Sequence, residues 1–488
     1  MGHMPTTPPV VPPGSFTYVY NVRDYGATGD GSTDDTVAVQ AAFAAITSDG
    51  GRVLFPRGLY KLTSAITSAV DNVWIEGYGV DATKILMHAD SDLFVATSAR
   101  CWTISNLRIV ANSGASMASG KAIKITGAFF RPSVLIRDVE ISPADDGEEF
   151  KYGIHLTDCG ESRIESTVIV GTSSGSTMTG IYLAATDGDL AAGPHKLSAV
   201  SVYSASKGIV VENNIPAGLA YVGVEGLQCV NCDLVAVGTG LEYINDATYF
   251  PPQITFLGGH VSATTRCIDV DKVTSIFVMG SLLYLSGTGT HIRMRNVGGG
   301  QIQGNTMVVI GAGTGDAVDV AATTAVDQGL LIVGNTFILG AGAGDAAVRL
   351  ATANITNVQI RDNHQTGGTE TVGVTGSLAP SIIVADNYPP DTSDQFESVT
   401  VGTTISVADK RSTFVGITTP GGATTITTIT PRRDGDAFTF KCDSTLVTIE
   451  HNAGCILRGG ANYTFAAGAN ITLRRAQGVW QEVGRMEA

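Results

Sequence analysis

Short segments in which apolar and polar residues alternate recur along most of the chain, and each has a small or amide residue at a similar place. The segments are "WTISNLRIV", "VLIRDVEIS", "SRIESTVIV", "KLSAVSVYS", "LQCVNCDLV", "ITFLGGHVS", "SIFVMGSLL", "GQIQGNTMV", "LLIVGNTFI" and "NVQIRDNHQ". Alternation with a period of two is typical of β-strands that bury one face. The marker residues are Asn106, Asp138, Ser166, Ala199, Asn231, Gly258, Gly280, Asn305, Asn335 and Asn363.

Successive markers are separated by 22 to 33 residues. A repeat of this length indicates a solenoid in which each coil supplies three short strands and three turns. Stacking the coils buries the inward side chains and pairs each backbone edge with the next coil. An asparagine at a recurring turn is expected to stack its amide on the one above it.

The alternation also predicts which side chains point outward. Two residues after each marker lie Arg108, Glu140, Val168, Ser201, Asp233, His260, Leu282 and Met307. The next outward column contains Tyr203, Val235, Ser262 and Tyr284. Carboxylate, imidazole and aromatic groups therefore share one predicted patch. Such patches are typical of carbohydrate sites, where aromatic faces contact sugar rings and carboxylates transfer protons.

A second acidic and aromatic group lies in the connecting segments, at Glu225, Glu242, Asp246 and Tyr249. Carboxyl groups on adjacent coils would lie about 5 Å apart, and those two coils apart about 9.5 Å. These separations bracket retaining and inverting glycoside hydrolysis. The predicted catalytic residues are therefore Glu225, Asp233, Glu242 and Asp246. For any single acid, the alternative is a solvated turn residue.

The predicted substrate-binding residues surround these acids. They are His260, Tyr203, Tyr249, Tyr284, Arg293 and Arg295. The two arginines alternate outward in "HIRMRN" and could bind an acidic sugar, although an exposed strand accounts for them equally well.

The segment "NVRDYGATGDGSTDDTVAVQAAFAAI" predicts a turn followed by a capped helix with Val39, Phe43 and Ile46 on one face. A calcium loop starting at Asp30 would need Gly and Glu where Asp35 and Ala41 stand. The glycines also lack the spacing of a dinucleotide or phosphate loop. This segment is therefore expected to be structural.

The succession "VRDYGATGDGSTDDT", a short helix, "GGRVLFPRGLY" and "IEGYG" resembles the N-terminal part of the pectate-lyase-like family of right-handed parallel β-helices. That family includes many phage tailspikes and capsule depolymerases. The resemblance implies that the opening segment caps the β-helix. Residues 395–488, with "TTITTITPRRDGDAFTF" and "GVWQEVGR", resemble a C-terminal β-domain of phage tail fibres and spikes, in which three chains assemble.

The predicted architecture is therefore all-β: a right-handed parallel β-helix with an N-terminal helix cap and a C-terminal β-rich trimerisation domain. Residues 1–15 are expected to be a cloning scar, "MGHM", and a Pro-rich linker. Residues 16–90 are expected to form the cap and first coils, 91–390 the β-helix, and 395–488 the C-terminal domain.

Composition narrows the possible partners. The net charge of −15 argues against nucleic acid and anionic membranes, and no run of 18 apolar residues predicts membrane insertion. The seven cysteines include a single C-x-x-C, at Cys229 and Cys232, so buried inert thiols are favoured over zinc or redox chemistry. No metal or cofactor is expected.

The sequence-based hypothesis is a homotrimeric phage tailspike depolymerase. It would hydrolyse a bacterial surface polysaccharide (capsule, exopolysaccharide or O-antigen) with two carboxylic acids, and would join tail or baseplate proteins in the virion. One alternative is a polysaccharide lyase, which removes the proton next to a uronate carboxylate and needs a cation to neutralise that carboxylate. The other is a non-catalytic tail spike that only binds glycan.

Overall fold

A computed structural model describes most of the chain. The described residues are 18–128, 134–173, 175–186, 192–214, 223–245, 253–310, 315–322, 326–340, 346–350, 355–368, 370–374, 383–385, 387, 397–399, 402–407, 414–417, 422–430, 437–442 and 444–486. They fall into two compact units, one within residues 1–357 and 367–379 and the other within 358–366 and 380–488.

Almost every described element is a short strand. The elements up to residue 143 are β1 Val19–Asn21, a 3-10 turn Val22–Tyr25, β2 Asp30–Asp34, α1 Thr36–Ala44, β3 Gly51–Leu54, β4 Gly58–Leu62, β5 Ile66–Ser68, β6 Val73–Glu76, β7 Thr83–Met87, β8 Phe94–Thr97, β9 Trp102–Ala111, β10 Lys121–Thr126 and β11 Val134–Pro143. Then follow β12 Tyr152–Thr157, β13 Ser162–Glu165, β14 Val168–Val170, β15 Thr179–Ala185, β16 His195–Ser198, β17 Ser201–Tyr203, β18 Lys207–Asn213, β19 Gly226–Val230, β20 Asp233–Asn245, β21 Gln253–Leu257 and β22 His260–Asp271. The next are β23 Ile276–Met279, β24 Leu282–Leu285, β25 Thr290–Arg295, β26 Gly300–Gln303, β27 Thr306–Val309, β28 Val318–Ala321, β29 Val326–Val333, β30 Thr336–Ile338, β31 Ala346–Leu350, β32 Ile355–Arg361, β33 His364–Thr366, β34 Glu370–Val374 and β35 Ile383–Ala385.

The last elements belong to the second unit. They are β36 Glu397–Val399, β37 Thr404–Ser406, β38 Phe414–Ile417, β39 Thr424–Ile426, β40 Thr428–Thr430, β41 Ala437–Cys442, β42 Val447–Ile449, β43 Cys455–Ile456, a 3-10 turn Arg458–Gly460, β44 Tyr463–Thr464, β45 Ala469–Ala476 and β46 Val479–Met486.

The first unit is a right-handed parallel β-helix with three sheets, as the sequence predicts. The first sheet runs through β3, β6, the start of β9 and β11, β13, β16, β19, β21, β23, β26 and β29. The second runs through the end of β9 and β11, β14, β17, the start of β20 and β22, β24, β27 and β30. The third runs through β5, β8, β10, β12, β15, β18, the end of β20 and β22, β25, β28, β31 and β34.

The marker residues predicted from the sequence lie at or next to the turn between the first and second sheets, where the backbone adopts a left-handed conformation. At this turn, the residues with positive φ in successive coils are Asn106, Asp138, Ser166, Ala199, Asn231, Gly258, Gly280, Gly304 and Gly334. The predicted markers Asn305, Asn335 and Asn363 were wrong by one residue, because Gly304, Gly334 and Asp362 take the left-handed position and asparagine follows each of them. The register therefore places Thr306 outward, and Met307, predicted outward, is fully buried.

Asn305 and Asn335 do stack, as predicted for amides at a recurring turn. The Asn305 backbone N and Nδ2 both donate to Asn335 Oδ1, each at 3.0 Å. Asn305 Nδ2 also donates to Val278 O, and Ser281 N donates to Asn305 Oδ1. These buried amides satisfy backbone groups that the turn leaves outside the strand ladders.

The helix α1 lies where the sequence predicts it and covers the apolar interior next to the first coils. Val39 and Phe43 are buried on one face of the helix, and Ile46, two residues after the helix ends, is buried as well. The Phe43 ring lies 6.2 Å from Phe94 and 6.4 Å from Trp102, measured between ring centroids. In place of a side-chain cap at the helix start, Asp34 accepts hydrogen bonds from Thr36 N and from Thr63 Oγ1.

The second unit has a separate apolar core beneath a six-stranded sheet of β36, β38, β41, β45, β46 and β43. Phe438, Phe440 and Trp480 are its largest buried side chains. Trp480 Nε1 donates to Ile429 O at 2.9 Å, which satisfies the indole inside that core.

Candidate functional site

The patch predicted on the second sheet keeps its predicted register. Asp233 lies directly beside His260 on the next coil. Ser262 lies beside Tyr284, and Tyr203 beside Val235. The His260 and Tyr284 rings meet edge to face at 5.2 Å. Within the described residues, His260 Nε2 is buried and has no hydrogen-bond partner.

The other predicted residues lie elsewhere on the solenoid. Glu242 is on the third sheet and forms an ion pair with Lys207. Glu225 precedes the first-sheet strand β19, and its backbone N donates to Ala192 O at 2.7 Å. Asp246 and Tyr249 lie outside the described residues. Of the three described acids, Asp233 is therefore on the second sheet, Glu242 is on the third, and Glu225 lies just before a first-sheet strand.

Arg293 and Arg295 point outward as predicted, but their guanidinium groups face a buried carboxylate. Asp269 is only 2% exposed and accepts hydrogen bonds from Arg293 Nε at 2.8 Å and Nη2 at 2.6 Å. Arg266 Nη1 lies 3.3 Å and Arg295 Nη2 3.6 Å from the same carboxylate. We call Arg266, Asp269, Arg293 and Arg295 the arginine cluster.

The third sheet also carries a group of side chains that the sequence analysis missed. Lys124, His155 and Tyr182 occupy one outward column of β10, β12 and β15, in direct register. Lys121 and Tyr152 are neighbours in an adjacent column. We call Lys121, Lys124, Tyr152, His155 and Tyr182 the aromatic–lysine cluster.

The three rings of this cluster pack on one another. His155 stacks on Tyr182 with centroids 4.7 Å apart and planes 12° from parallel. Tyr152 meets His155 at 5.1 Å and Tyr182 at 5.4 Å, both edge to face. Register on neighbouring coils fixes these contacts, because in-register side chains of a parallel ladder lie about 5 Å apart.

Two lysines border the rings. Lys124 Nζ lies 3.0 Å from Asp92 Oδ2, and Lys121 Nζ lies 3.4 Å from Asp92 Oδ1. Lys121 Nζ is also 5.5 Å from the centroid of Tyr152. Two ammonium groups thus share a single carboxylate. Each ammonium has three donors, of which Lys124 uses one on Asp92 and Lys121 uses two, on Asp92 and on Ser119 O at 3.0 Å. The pair therefore retains donors for an additional anionic group.

His155 and Tyr182 stay uncharged at neutral pH. Burial, reinforced by Lys121 and Lys124, lowers the pKa of His155 to about 4. The neutral imidazole can accept a proton, and Thr157 Oγ1 lies 3.5 Å from its Nδ1. Burial raises the pKa of Tyr182, and so does its hydrogen bond to Glu212. Tyr182 is therefore held as a phenol.

Glu149 organises the chain beside this cluster. Its buried carboxylate accepts from Thr177 N at 2.7 Å, Ser176 Oγ at 2.6 Å and Thr172 N at 3.1 Å. The sequence of the acidic loop "PADDGEEFKYG" predicts solvated side chains, and this prediction is wrong at Glu149, which is only 1% exposed. Glu149 stands three residues before Tyr152 and fixes the loop that enters β15.

No candidate metal centre is found in the part of the chain that the structure describes, where no three His, Cys, Asp or Glu side chains are grouped suitably. Cys229 and Cys232 are buried free thiols. None of the described helices has the length and apolar character needed to cross a membrane.

The sequence comparisons agree with the fold. Residues 19–228 match the family described as "Rhamnogalacturonase A/epimerase, pectate lyase-like", which confirms the resemblance over that part of the chain. Mannuronan C5-epimerase AlgE6 and alginate lyase 7, both from Azotobacter vinelandii, are each 44% identical over 73 residues. Each match covers 14% of this chain and 8% of the relative, so the chain spans only a small part of these proteins.

Solved structures share the solenoid fold. The A-module of the AlgE6 epimerase from Azotobacter vinelandii superposes with a TM-score of 0.59 at 19% identity, covering 76% of this chain and all of the module. Tailspike protein 3 of bacteriophage CBA120 superposes with a TM-score of 0.49 at 12% identity, covering 96% of this chain and 70% of that protein.

Proposed function

We propose that this protein acts on an acidic polysaccharide by removing a proton from the sugar carbon next to a carboxylate. The observation that carries the proposal is the aromatic–lysine cluster: a neutral, half-buried imidazole packed against two tyrosines and bordered by two lysines on the open face of a sheet. Enzymes named as an epimerase and a lyase of alginate match part of the chain, which supports this class of chemistry.

Each group has a role in that reaction. Lys121 and Lys124 bind the substrate carboxylate and stabilise the negative charge that develops beside it when the proton leaves. His155, which is uncharged at neutral pH, is the group that accepts the proton. The Tyr152 hydroxyl donates a proton to the glycosidic oxygen as that bond breaks, which leaves a carbon–carbon double bond in the sugar. Return of a proton to the opposite face of the same carbon would instead invert it.

Hydrolysis by paired carboxylic acids, the mechanism predicted from the sequence, is our second candidate. It is favoured by the outward Asp233 beside His260 on the second sheet. It ranks second because Asp233 and Glu242 lie on different sheets, Glu225 lies outside the strands, and Glu242 is occupied by Lys207. A site between neighbouring chains would remove that objection.

Product analysis separates these candidates. The protein is incubated with alginate, polygalacturonate and uronate-containing bacterial capsules in heavy water. Elimination gives ultraviolet-absorbing unsaturated sugars, inversion gives deuterium at the sugar carbon, and hydrolysis gives reducing ends with neither signal. Binding without any product would favour the non-catalytic spike.

Two histidine variants then locate the site. We expect His155→Gln to lower kcat by at least about 100-fold, because glutamine keeps a polar side chain but cannot accept the proton. His260→Gln is the matched control on the second sheet and should retain wild-type turnover. The opposite pattern, with only His260→Gln inactive, would move the site to the second-sheet patch.

We further propose that the chain is a homotrimeric phage tailspike that acts at the bacterial surface and attaches to tail or baseplate proteins. The C-terminal sequence resemblance supports this, as do the exposed apolar side chains Leu446, Ile456, Val483 and Met486 of the second unit. Light scattering of the intact protein should give about three times 50.5 kDa. A concentration-independent monomer would contradict the trimer.

A further inference from the structure

Among the residues that the structure describes, one broad surface of the β-helix presents no Lys, Arg, Asp or Glu side chain. It consists of the outward positions of the first and second sheets in the four coils that begin at Gln253, Ile276, Gly300 and Leu330, and we call it the uncharged face. On the first sheet these positions are Thr255, Leu257, Phe277, Met279, Gln301, Gln303, Leu331 and Val333. On the second sheet they are His260, Ser262, Leu282, Tyr284, Thr306, Val308, Thr336 and Ile338.

This surface differs from the rest of the solenoid. The outward positions of the same two sheets in earlier coils include Arg108, Glu140, Arg163, Glu165 and Lys196. The outward positions of the third sheet in the same four coils include the arginine cluster. Ile338 is 39% exposed although it is a large apolar residue. The absence of charge is therefore specific to this face and is not a general property of the coils.

Glycines line the ridge where the two sheets of this face meet. Gly280, Gly304 and Gly334 are exposed and occupy the left-handed turn position with φ of +63°. Five earlier coils place Asn106, Asp138, Ser166, Ala199 and Asn231 at this position with similar positive φ. The conformation alone therefore does not require glycine here.

The surrounding space does not require glycine either. A Cβ atom built on Gly280, Gly304 or Gly334 would meet no atom of the same chain within 4 Å. Gly258, on the preceding coil, differs because its Cβ would meet Asn231 Oδ1 at 2.7 Å. Three consecutive open glycines let another backbone approach the ridge closely, which is a recognised use of this residue.

We infer that the uncharged face is a self-association surface of the β-helix and that its occupant is a second copy of this chain, lying parallel to the first. Charge is compatible with this occupant: chains with a net charge of −15 repel one another, and a contact between two uncharged faces adds no like-charge repulsion at the interface. Geometry favours it, because a parallel copy carries the same strand spacing of about 4.8 Å and meets the three glycines at equivalent places.

This inference builds on the proposed homotrimer but assigns the contact to the β-helix, whereas the sequence resemblance assigns assembly to residues 395–488. It also affects the second-sheet patch. His260 and Tyr284 lie on the uncharged face, so they are covered by a neighbouring chain or line a groove beside it. They are not open to a polymer as they are in the single chain.

Disulfide trapping in the full-length protein tests the contact. Gly304→Cys and Thr306→Cys each place a thiol on the uncharged face, and the threonine site needs no left-handed backbone. The matched controls are Gly114→Cys, at another open glycine with positive φ, and Thr290→Cys, at an outward threonine of the third sheet. All four are treated with oxidised glutathione and run on non-reducing gels, with the wild-type chain as the baseline for the native cysteines.

We expect covalent dimers from the two face variants in at least tenfold excess over the two controls, at a yield that does not fall on dilution. Equal yields from face and control variants would overturn the inference. Light scattering of the same samples separates the two proposals. If the protein is a trimer but does not cross-link, the second unit carries the assembly and the uncharged face is not a contact between chains. If the protein is a monomer and does not cross-link, both the trimer and the contact through the uncharged face are contradicted.

Discussion

The outward surface of the third sheet contains two charged regions that lie on the same ladder and differ in how their charges are used. In the aromatic–lysine cluster, Lys121 and Lys124 share Asp92, and the rings of His155 and Tyr182 stack beside them. In the arginine cluster, Asp269 is buried under guanidinium groups that contact it through up to two nitrogens each.

The difference follows from side-chain chemistry. A guanidinium is a rigid fork that matches a carboxylate, so arginines around one buried carboxylate form a saturated and ordered group. An ammonium is a compact charge on a flexible stem, so a lysine can hold one carboxylate and still donate to another. The outward columns of a solenoid can thus form two kinds of charged group. Arginines give a saturated structural cluster, whereas lysines give a site with donors left for a ligand.

The largest expected effect is a loss of kcat/KM, which shows whether the lysines or the arginines bind the substrate. If the lysines bind the substrate carboxylate, Lys124→Met should lower kcat/KM by about 30- to 1000-fold, through loss of a charge-assisted contact made in the transition state. Arg293→Met should leave kcat/KM within about threefold, because Arg293 is committed to Asp269. Steady-state kinetics on the polymer that gives product decides the comparison. A large loss in Arg293→Met would instead restore the sequence prediction that Arg293 binds substrate.

The second-largest expected effect is a loss of stability when the arginine cluster is disrupted. Asp269→Asn leaves three arginines without their carboxylate, and we expect the free energy of unfolding to fall by about 2–3 kcal/mol. The arginines are partly exposed, at 21% to 41%, which keeps the loss below that of a fully buried pair. Urea unfolding at neutral pH measures it, with Lys124→Met as the reference variant. Equal stability of Asp269→Asn and wild type would show that the cluster is not a structural support.

The smallest expected effect is acid sensitivity of the aromatic–lysine cluster. Because the pKa of folded His155 is about 4 and that of an unfolded histidine about 6.5, the unfolded chain binds more protons between these values. Stability is therefore lost as pH falls from about 6.5 to about 4. Fully buried His195 and His291, whose pKa values are also about 4, add to the same loss.

The matched variant isolates the contribution of the cluster. His155→Gln should reduce the drop in unfolding free energy between pH 7 and pH 4.5 by about 1–2 kcal/mol, since one pKa unit corresponds to about 1.4 kcal/mol. Urea unfolding at the two pH values gives the difference. An unchanged drop would mean that His155 is protonated in the folded state at about the same pH as in the unfolded chain.

The solenoid could be predicted from sequence because its strongest signal is local. Each turn between the first and second sheets needs a residue that tolerates a positive φ, and such residues recur at regular intervals. The error at Asn305 and Asn335 arose because glycine and asparagine stand side by side there and either is compatible with such a turn. One residue of error is enough to exchange Met307 with Thr306 between inside and outside.

The aromatic–lysine cluster could not be found in the same way. Lys124, His155 and Tyr182 are 31 and 27 residues apart in the sequence, and the third-sheet strands carry no recurring marker that aligns them. Extending the outward alternation of "KAIKIT", "YGIHLT" and "TGIYLAA" across coils would have exposed the column, but its register was fixed only by the structure. The arginines were correctly placed outward, whereas their partner Asp269 is apparent only across neighbouring coils.

The helix α1 has a consequence for how long the molecule can be. A parallel ladder spaced by about 4.8 Å has the same backbone geometry as a cross-β fibril, and nothing within a coil tells it where to stop. Phe43 of this helix packs near Phe94 and Trp102, so a helix and not another strand lies over the interior of the first coils. We expect the helix to prevent further coils or further chains from stacking on this end of the β-helix. The ladder then keeps the length that a single polypeptide encodes.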